Sequence, residues 1–126
     1  VMHAMKEIDE GYGRFGEAYF SMIEFGVIKA WKRHKEMTLN IIVPSGEIRF
    51  VLFDDRSKHD QRLKQITLSK NNYSRLTIPP MIWVGFQGLS SEDCMLLNIA
   101  DKMHDPSEVD KKNVEEIKFN WEIKIK

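Results

Sequence analysis

Lys32 and His34 stand two residues apart in the run Lys29-Ala-Trp31-Lys32-Arg-His34-Lys35. On a strand that spacing puts both side chains on one face. A histidine titrates at about 6.5, so it can take a proton from a carbon acid and return it near neutral pH. The ammonium of Lys32 could hold the negative charge of an enolate or a phosphate, or it could be a solvated charge. His34 has a plainer alternative too, a surface histidine within the basic run 29–35. Asn40 and Asn98 are amides inside otherwise apolar stretches. A buried amide needs partners, so each either bonds a ligand or satisfies an internal network.

The elements that position these groups repeat with a period of two. Residues 46–53 alternate Ile48, Phe50 and Leu52 against Arg49, Val51 and Phe53, which predicts a strand. Asn40-Ile-Ile-Val43 runs into Pro44-Ser-Gly46, a turn signal that predicts a hairpin with the strand after it. Further strands are expected over 18–25, 27–32, 63–68, 75–78, 83–86 and 94–100. Gly26, Pro79-Pro80, Gly88-Leu-Ser-Ser91 and Asp105-Pro106 punctuate them. Residues 54–65 read as an exposed loop. Residues 106–116 carry the one helical pattern, short and polar. The tail 117–126 alternates Ile117, Phe119, Trp121, Ile123 and Ile125 with polar residues, as a half-buried strand would, packed on the barrel or on a second subunit. Many short strands without a good amphipathic helix predict an antiparallel sandwich or barrel.

Composition narrows the function classes. At 126 residues the chain is expected to form one domain over 1–126. Lys+Arg and Asp+Glu are 19 each, so no bulk field favours nucleic acid or an anionic membrane. No apolar run approaches the roughly 20 residues of a membrane span. The single Cys94 suits a reducing cytoplasm. The chain opens on Val1 rather than Met, so some natural N-terminal residues are expected to be missing.

Three stretches stand in order: Gly26-Val-Ile-Lys29-Ala-Trp-Lys32, then Gly46-Glu-Ile with Asp54-Asp-Arg56, then Ile78-Pro-Pro-Met-Ile-Trp-Val-Gly85-Phe86. They resemble the patterns G-V-[LI]-[RK]-G-x-H, G-E-[VI] with D-x-R, and I-P-x-G-x-x-H-G-F of the dTDP-4-dehydrorhamnose 3,5-epimerase family of sugar-nucleotide cupins. The similarity runs from Gly13-Arg-Phe-Gly-Glu17 to about Pro106. It implies an all-β, cupin-type antiparallel jelly roll (double-stranded β-helix), with at most one short helix near the C-terminus. It also implies that Lys29 and Arg56 contact a diphosphate or the pocket. Exposed sheet edges and the alternating tail favour pairing between subunits, so a homodimer is expected.

The departures from the family fall on its chemistry. Lys32 stands at the general-base histidine, Val84 at a second pocket histidine, and Asn98 at the catalytic tyrosine. Epimerisation beside a ketone needs a base to take the α-proton and an acid to return one on the other face. A solvated lysine keeps its proton at neutral pH, so His34 is expected to act as base with Lys32 beside it, while Asn40 and Asn98 bind substrate. Against the metal-cupin pattern G-x5-H-x-H-x3/4-E-x6-G, His34 alone survives of four ligand positions. A metal needs several converging donors, so neither metal nor other cofactor is expected. The function implied is metal-independent proton transfer next to the 4-ketone of an NDP-4-keto-6-deoxysugar in the dTDP-rhamnose pathway or other polysaccharide synthesis. A 3,4-ketoisomerase and a non-catalytic sugar-nucleotide or carbohydrate binder are the alternatives.

Overall fold

A computed structural model describes residues 1–124. The period-two stretches form β1 (Glu17–Ile23), β2 (Ile28–His34), β3 (Leu39–Ser45), β4 (Glu47–Asp54), β5 (Arg62–Ser69), β6 (Leu76–Ile78), β7 (Trp83–Gly88), β8 (Cys94–Ala100) and β9 (Val109–Lys111). They make two sheets, β1-β8-β3-β6 and β5-β4-β7-β2-β9, with antiparallel ladders throughout. The architecture is the expected all-β jelly roll. Among the described residues β4 and β5 are the only consecutive strands paired with each other.

The predicted hairpin of β3 with β4 is therefore not formed. The two strands lie in different sheets, and Gly46, at φ +75°, turns the chain from one to the other. Pro44 belongs to β3 rather than to the turn. It has no N–H to offer and sits where the β3–β8 register breaks, between Ile42 and Ser45.

The C-terminal part also departs from expectation. In place of one short helix, 3-10 turns of three residues each, Pro106–Glu108 and Val114–Glu116, flank β9. β9 supplies hydrogen-bond partners to the edge of β2, which a helix could not do. The tail from Ile117 forms no ladder among the described residues; Ile125 lies outside them. Ile117, Phe119 and Trp121 instead pack on Trp31, Val51 and Trp83 of their own five-stranded sheet.

That sheet is thus covered on both faces. Ile48 and Phe50 of β4 enter the core between the sheets, with Leu39, Ile41, Leu68 and Leu96, while Val51 enters the outer cluster. Burial of both faces accounts for the apolar residues in both phases of β4.

Gly46 offers a direct check on the crossover. A Cβ there would stand 2.6 Å from Cys94 Cα and 2.8 Å from the Asp93 carbonyl oxygen, at a backbone angle that side chains disfavour. Gly46→Ala should destabilise the protein by about 2 kcal/mol or more in urea unfolding. A loss under about 0.5 kcal/mol would show that the corner tolerates a side chain.

Candidate functional site

Between the sheets lies a cavity of about 650 Å³, within the ordinary range for small-molecule sites. Tyr19 and Ser21 of β1, Leu39 and Ile41 of β3, and Leu96 and Asn98 of β8 form one wall. Lys29, Ala30, Trp31 and Lys32 of β2 face them, with Val84 and Phe86 of β7. Lys111 of β9, followed by Lys112, Asn113 and Glu116, completes the lining.

Asn98 is 1% exposed, and its amide is oriented by its neighbours. Its Oδ1 accepts from the Asn40 backbone N–H at 3.0 Å, and its Nδ2 donates to the Tyr19 hydroxyl oxygen at 3.2 Å. Tyr19 is the register partner of Asn98 across β1 and β8. Because the phenol oxygen accepts in this contact, its own proton stays available to another acceptor. Lys29 reaches from β2 to β1, where its Nζ donates to the Met22 carbonyl at 3.0 Å.

Of the six residues expected at a site, Lys29, Lys32 and Asn98 line this cavity, and His34, Asn40 and Arg56 do not. His34 lies two residues beyond Lys32, or about 6.6 Å along the strand. Its Nδ1 is 2.7 Å from Glu108 Oε1. Asn40 serves the structure: its Nδ2 donates to the Gly11 carbonyl at 3.1 Å, and its Oδ1 accepts from the Thr77 hydroxyl at 2.7 Å, tying down the N-terminal segment. Arg56 is an exposed loop residue that donates to Asp54 at 2.8 Å. The hydrogen bonds from its side chain and its backbone N–H hold the Asp54 carboxyl down to about 2. Asp55 accepts from Trp83 Nε1 at 3.1 Å and faces Arg33 at 3.5 Å.

Sequence reasoning missed Tyr19 and the lining residues from 111 to 116. The alternation of the hydroxyl-bearing Tyr19 and Ser21 with Phe20 and Met22 was the available signal for Tyr19. The residues from 111 onward were hidden by the helical pattern. Among the described residues, no three His, Cys, Asp or Glu side chains converge closely enough to hold a metal ion. No helix there is long and apolar enough to cross a membrane.

Residues 19–118 match the protein family described as FdtA: WxcM-like, C-terminal. The chain belongs to that family. All three sequence motifs fall inside the FdtA-type match. A dTDP sugar isomerase from Desulfovibrio desulfuricans G20 has a similar solved structure, with TM-score 0.89 and 36% identity over 96% of this chain and 80% of that one. The 3,4-ketoisomerase QdtA from Thermoanaerobacterium thermosaccharolyticum, solved in complex with TDP, shares the fold at TM-score 0.70 and 19% identity, covering 87% of this chain and 74% of its own. The probable low-salt glycan biosynthesis epimerase Agl13 of Haloferax volcanii is 29% identical over 100 residues. That match takes in 77% of this chain and 64% of the Haloferax protein's length.

The FdtA-type fold here carries a buried carboxylate beside the cavity wall. Burial raises the Glu108 carboxyl, but hydrogen bonds from His34 and from the Glu36 and Lys35 amides outweigh it, so the net shift is downward. A carboxyl depressed by folding adds stability above its unfolded value, and that stability is lost as pH falls through the folded value. Glu108→Gln should therefore cost about 1–3 kcal/mol at pH 7 and flatten the loss of stability on acidification below about pH 4.5. Unfolding curves at several pH values measure both. An unchanged acid limb would remove Glu108 from that role.

Proposed function

We propose that the chain is a sugar-nucleotide isomerase of the 3,5-epimerase type, acting on a dTDP- or other NDP-4-keto-6-deoxysugar. The observation that carries this is the cavity between the sheets, lined by apolar strand residues, lysines and a tyrosine whose proton is free. The similarity to a dTDP sugar isomerase over 96% of the chain supports it. The substrate's ketone makes the neighbouring C–H bonds acidic, so the pocket must supply an acceptor, a donor and positive charge for the enolate. Tyr19, oriented by Asn98, is the donor in this reading. Glu116 is the one carboxylate in the lining; Asn113 N–H holds its Oε2, and we assign it as acceptor. The C–H proton passes to Glu116, and the Tyr19 proton passes to the opposite face of that carbon. Solvent then restores both groups. A place in polysaccharide synthesis accords with the similarity to the Bacillus subtilis spore coat polysaccharide biosynthesis protein SpsL, 28% identical over 120 residues. The single, free Cys94 suits the cytoplasmic location we propose for this chain.

A second reading is a non-catalytic sugar-nucleotide binder. It is favoured by Lys32, Val84 and Asn98 at the positions where the family resemblance implies histidine, histidine and tyrosine, and by the engagement of His34 with Glu108.

β1 is an edge strand, and Phe20 and Met22 stand exposed on it at 63% and 49%, between Phe15 at 62% and Phe25 at 54%. An unpaired edge beside exposed apolar residues invites association, and we propose a homodimer through β1.

Solvent deuterium incorporation into dTDP-4-keto-6-deoxyglucose tests the reaction. Exchange at two carbons is expected for a 3,5-epimerase and at one for a ketoisomerase; binding without exchange leaves the binder. Tyr19→Phe and Glu116→Gln should each slow exchange by roughly 10²–10⁴-fold. A comparable loss in His34→Asn, with Glu116→Gln unaffected, would return the base role to His34. Sedimentation should give a dimer that Phe20→Glu converts to monomer; a monomeric parent would overturn the β1 contact.

A further inference from the structure

Trp31 belongs to two surfaces at once. Its side chain borders the cavity between the sheets, and it is also a buried member of the outer cluster with Val51, Trp83 and Ile117. The ring lies against Gly85 of β7, where an added Cβ would come within 3.1 Å of it. The indole has no room to move that way, so its place depends on what packs on its remaining sides.

The C-terminal wall of the cavity hangs on this residue. Trp31 and Lys112 exchange both backbone hydrogen bonds, at 3.0 and 3.1 Å, and Trp31 Nε1 donates to the Val114 carbonyl at 3.0 Å. Lys112 Nζ lies over the Trp83 ring at 4.8 Å, so the same segment also rests on the outer cluster.

The tail that follows packs on Trp31 in turn. The Trp121 and Trp31 ring centroids are 5.5 Å apart. The Trp121 carbonyl accepts from Arg49 at 2.9 Å and from Gln87 at 3.0 Å. Among the described residues the tail makes no ladder, so its attachment rests on these contacts. Arg49 Nε and Trp121 Nε1 are buried there without a hydrogen-bond partner. A buried donor left unpaired costs free energy, and that cost opposes docking. An element held by few contacts opens before the strands beneath it.

We infer that the tail is a strap on the cavity wall: docking of Trp121 on the outer face and ordering of residues 112–116 are one equilibrium, joined at Trp31. Release of Trp121 loosens Trp31, and with it the contacts to Lys112 and Val114. A ligand that needs the ordered wall draws the tail down, and a docked tail tightens that ligand, because coupling between two sites is reciprocal. The identity of the ligand rests on the sugar-nucleotide reading above, whereas the coupling stands on these contacts alone.

Amide hydrogen exchange, read by NMR on the parent and on Trp121→Ala, Trp121→Phe and Arg49→Met, tests the strap. The Lys112 and Glu116 amides donate to the Trp31 and Asn113 carbonyls. They should exchange about tenfold or more faster in Trp121→Ala and in Arg49→Met. Trp121→Phe keeps a ring against Trp31 and should restore most of the protection. Amides of β4 and β5 should keep their parent rates. Arg49→Met, which removes a donor to the tail, carries the test if Trp121→Ala does not fold. Unchanged rates at Lys112 and Glu116 would overturn the strap. Acceleration spread evenly over β4 and β5 would overturn it too, by making the tail ordinary core. Trypsin reads the reverse direction at Lys118, within the tail. Saturating dTDP should slow cleavage there by about tenfold in the parent and have no effect in Trp121→Ala. Binding of dTDP without slower cleavage sinks the coupling. A parent that takes no dTDP sinks the sugar-nucleotide reading instead, and the amide rates alone then decide the strap. Deuterium entering the sugar while the amides ignore the tail sinks the strap and leaves the isomerase.

Discussion

The carboxylate of Glu108 holds the C-terminal wall of the cavity in place. It is 3% exposed and accepts from the Lys35 and Glu36 amides just past the end of β2, with His34 against its other oxygen. A buried charge is tolerated only when hydrogen-bonded this fully. Because Glu108 immediately precedes β9, satisfying it also sets the β2–β9 register, His34 to Val109 and Lys32 to Lys111. The positions of Lys111, Asn113 and Glu116 along the cavity follow from that register.

β2 serves both faces of its sheet. Its pairing with β7 shifts register between Ala30 and Lys32, and Trp31 lies in that irregularity. Trp31 is 1% exposed; it anchors the outer cluster, donates through Nε1 to the Val114 carbonyl at 3.0 Å and also borders the cavity. Arg49 and Gln87 reach the Trp121 carbonyl from the same outer face. The tail therefore covers an apolar surface that would otherwise be exposed, and it joins that surface to the segment that lines the cavity.

The charged groups of the cavity are mostly cationic. Its cationic groups come from β2, β9 and the residue after β9, and its single carboxylate from the following 3-10 turn. Tyr19 and Asn98 stand on the opposite sheet, joined to each other and through Asn98 to the β3 backbone. Ammonium groups on one wall and a phenol hydroxyl on the other are what the proposed ligand, with a charged end and a reactive ketone, requires.

Local patterning was enough to place the strands. Period-two alternation and the Gly and Pro breaks located β1 through β8 to within a few residues, because pleat geometry is written into neighbouring side chains. The motifs at 26–32, 46–56 and 78–86 carried the family resemblance, from which Lys29 was found, while Lys32 and Asn98 were legible from strand spacing and from an amide within an apolar stretch. What the sequence could not decide was partnership between distant strands. The Pro44-Ser-Gly46 signal looks the same whether the chain folds back into one sheet or crosses to another, and the steric limit comes from Cys94, far along the chain. A strand pattern likewise assigns His34 to a face but not to the cavity or to Glu108, whose carboxylate arrives through a non-local contact. The juxtaposition of Lys32 with Lys111 exists only once β9 has docked. Alternation depends on adjacent residues, whereas register and cavity depend on which long-range contacts satisfy buried polar groups, and only the tertiary structure decides those.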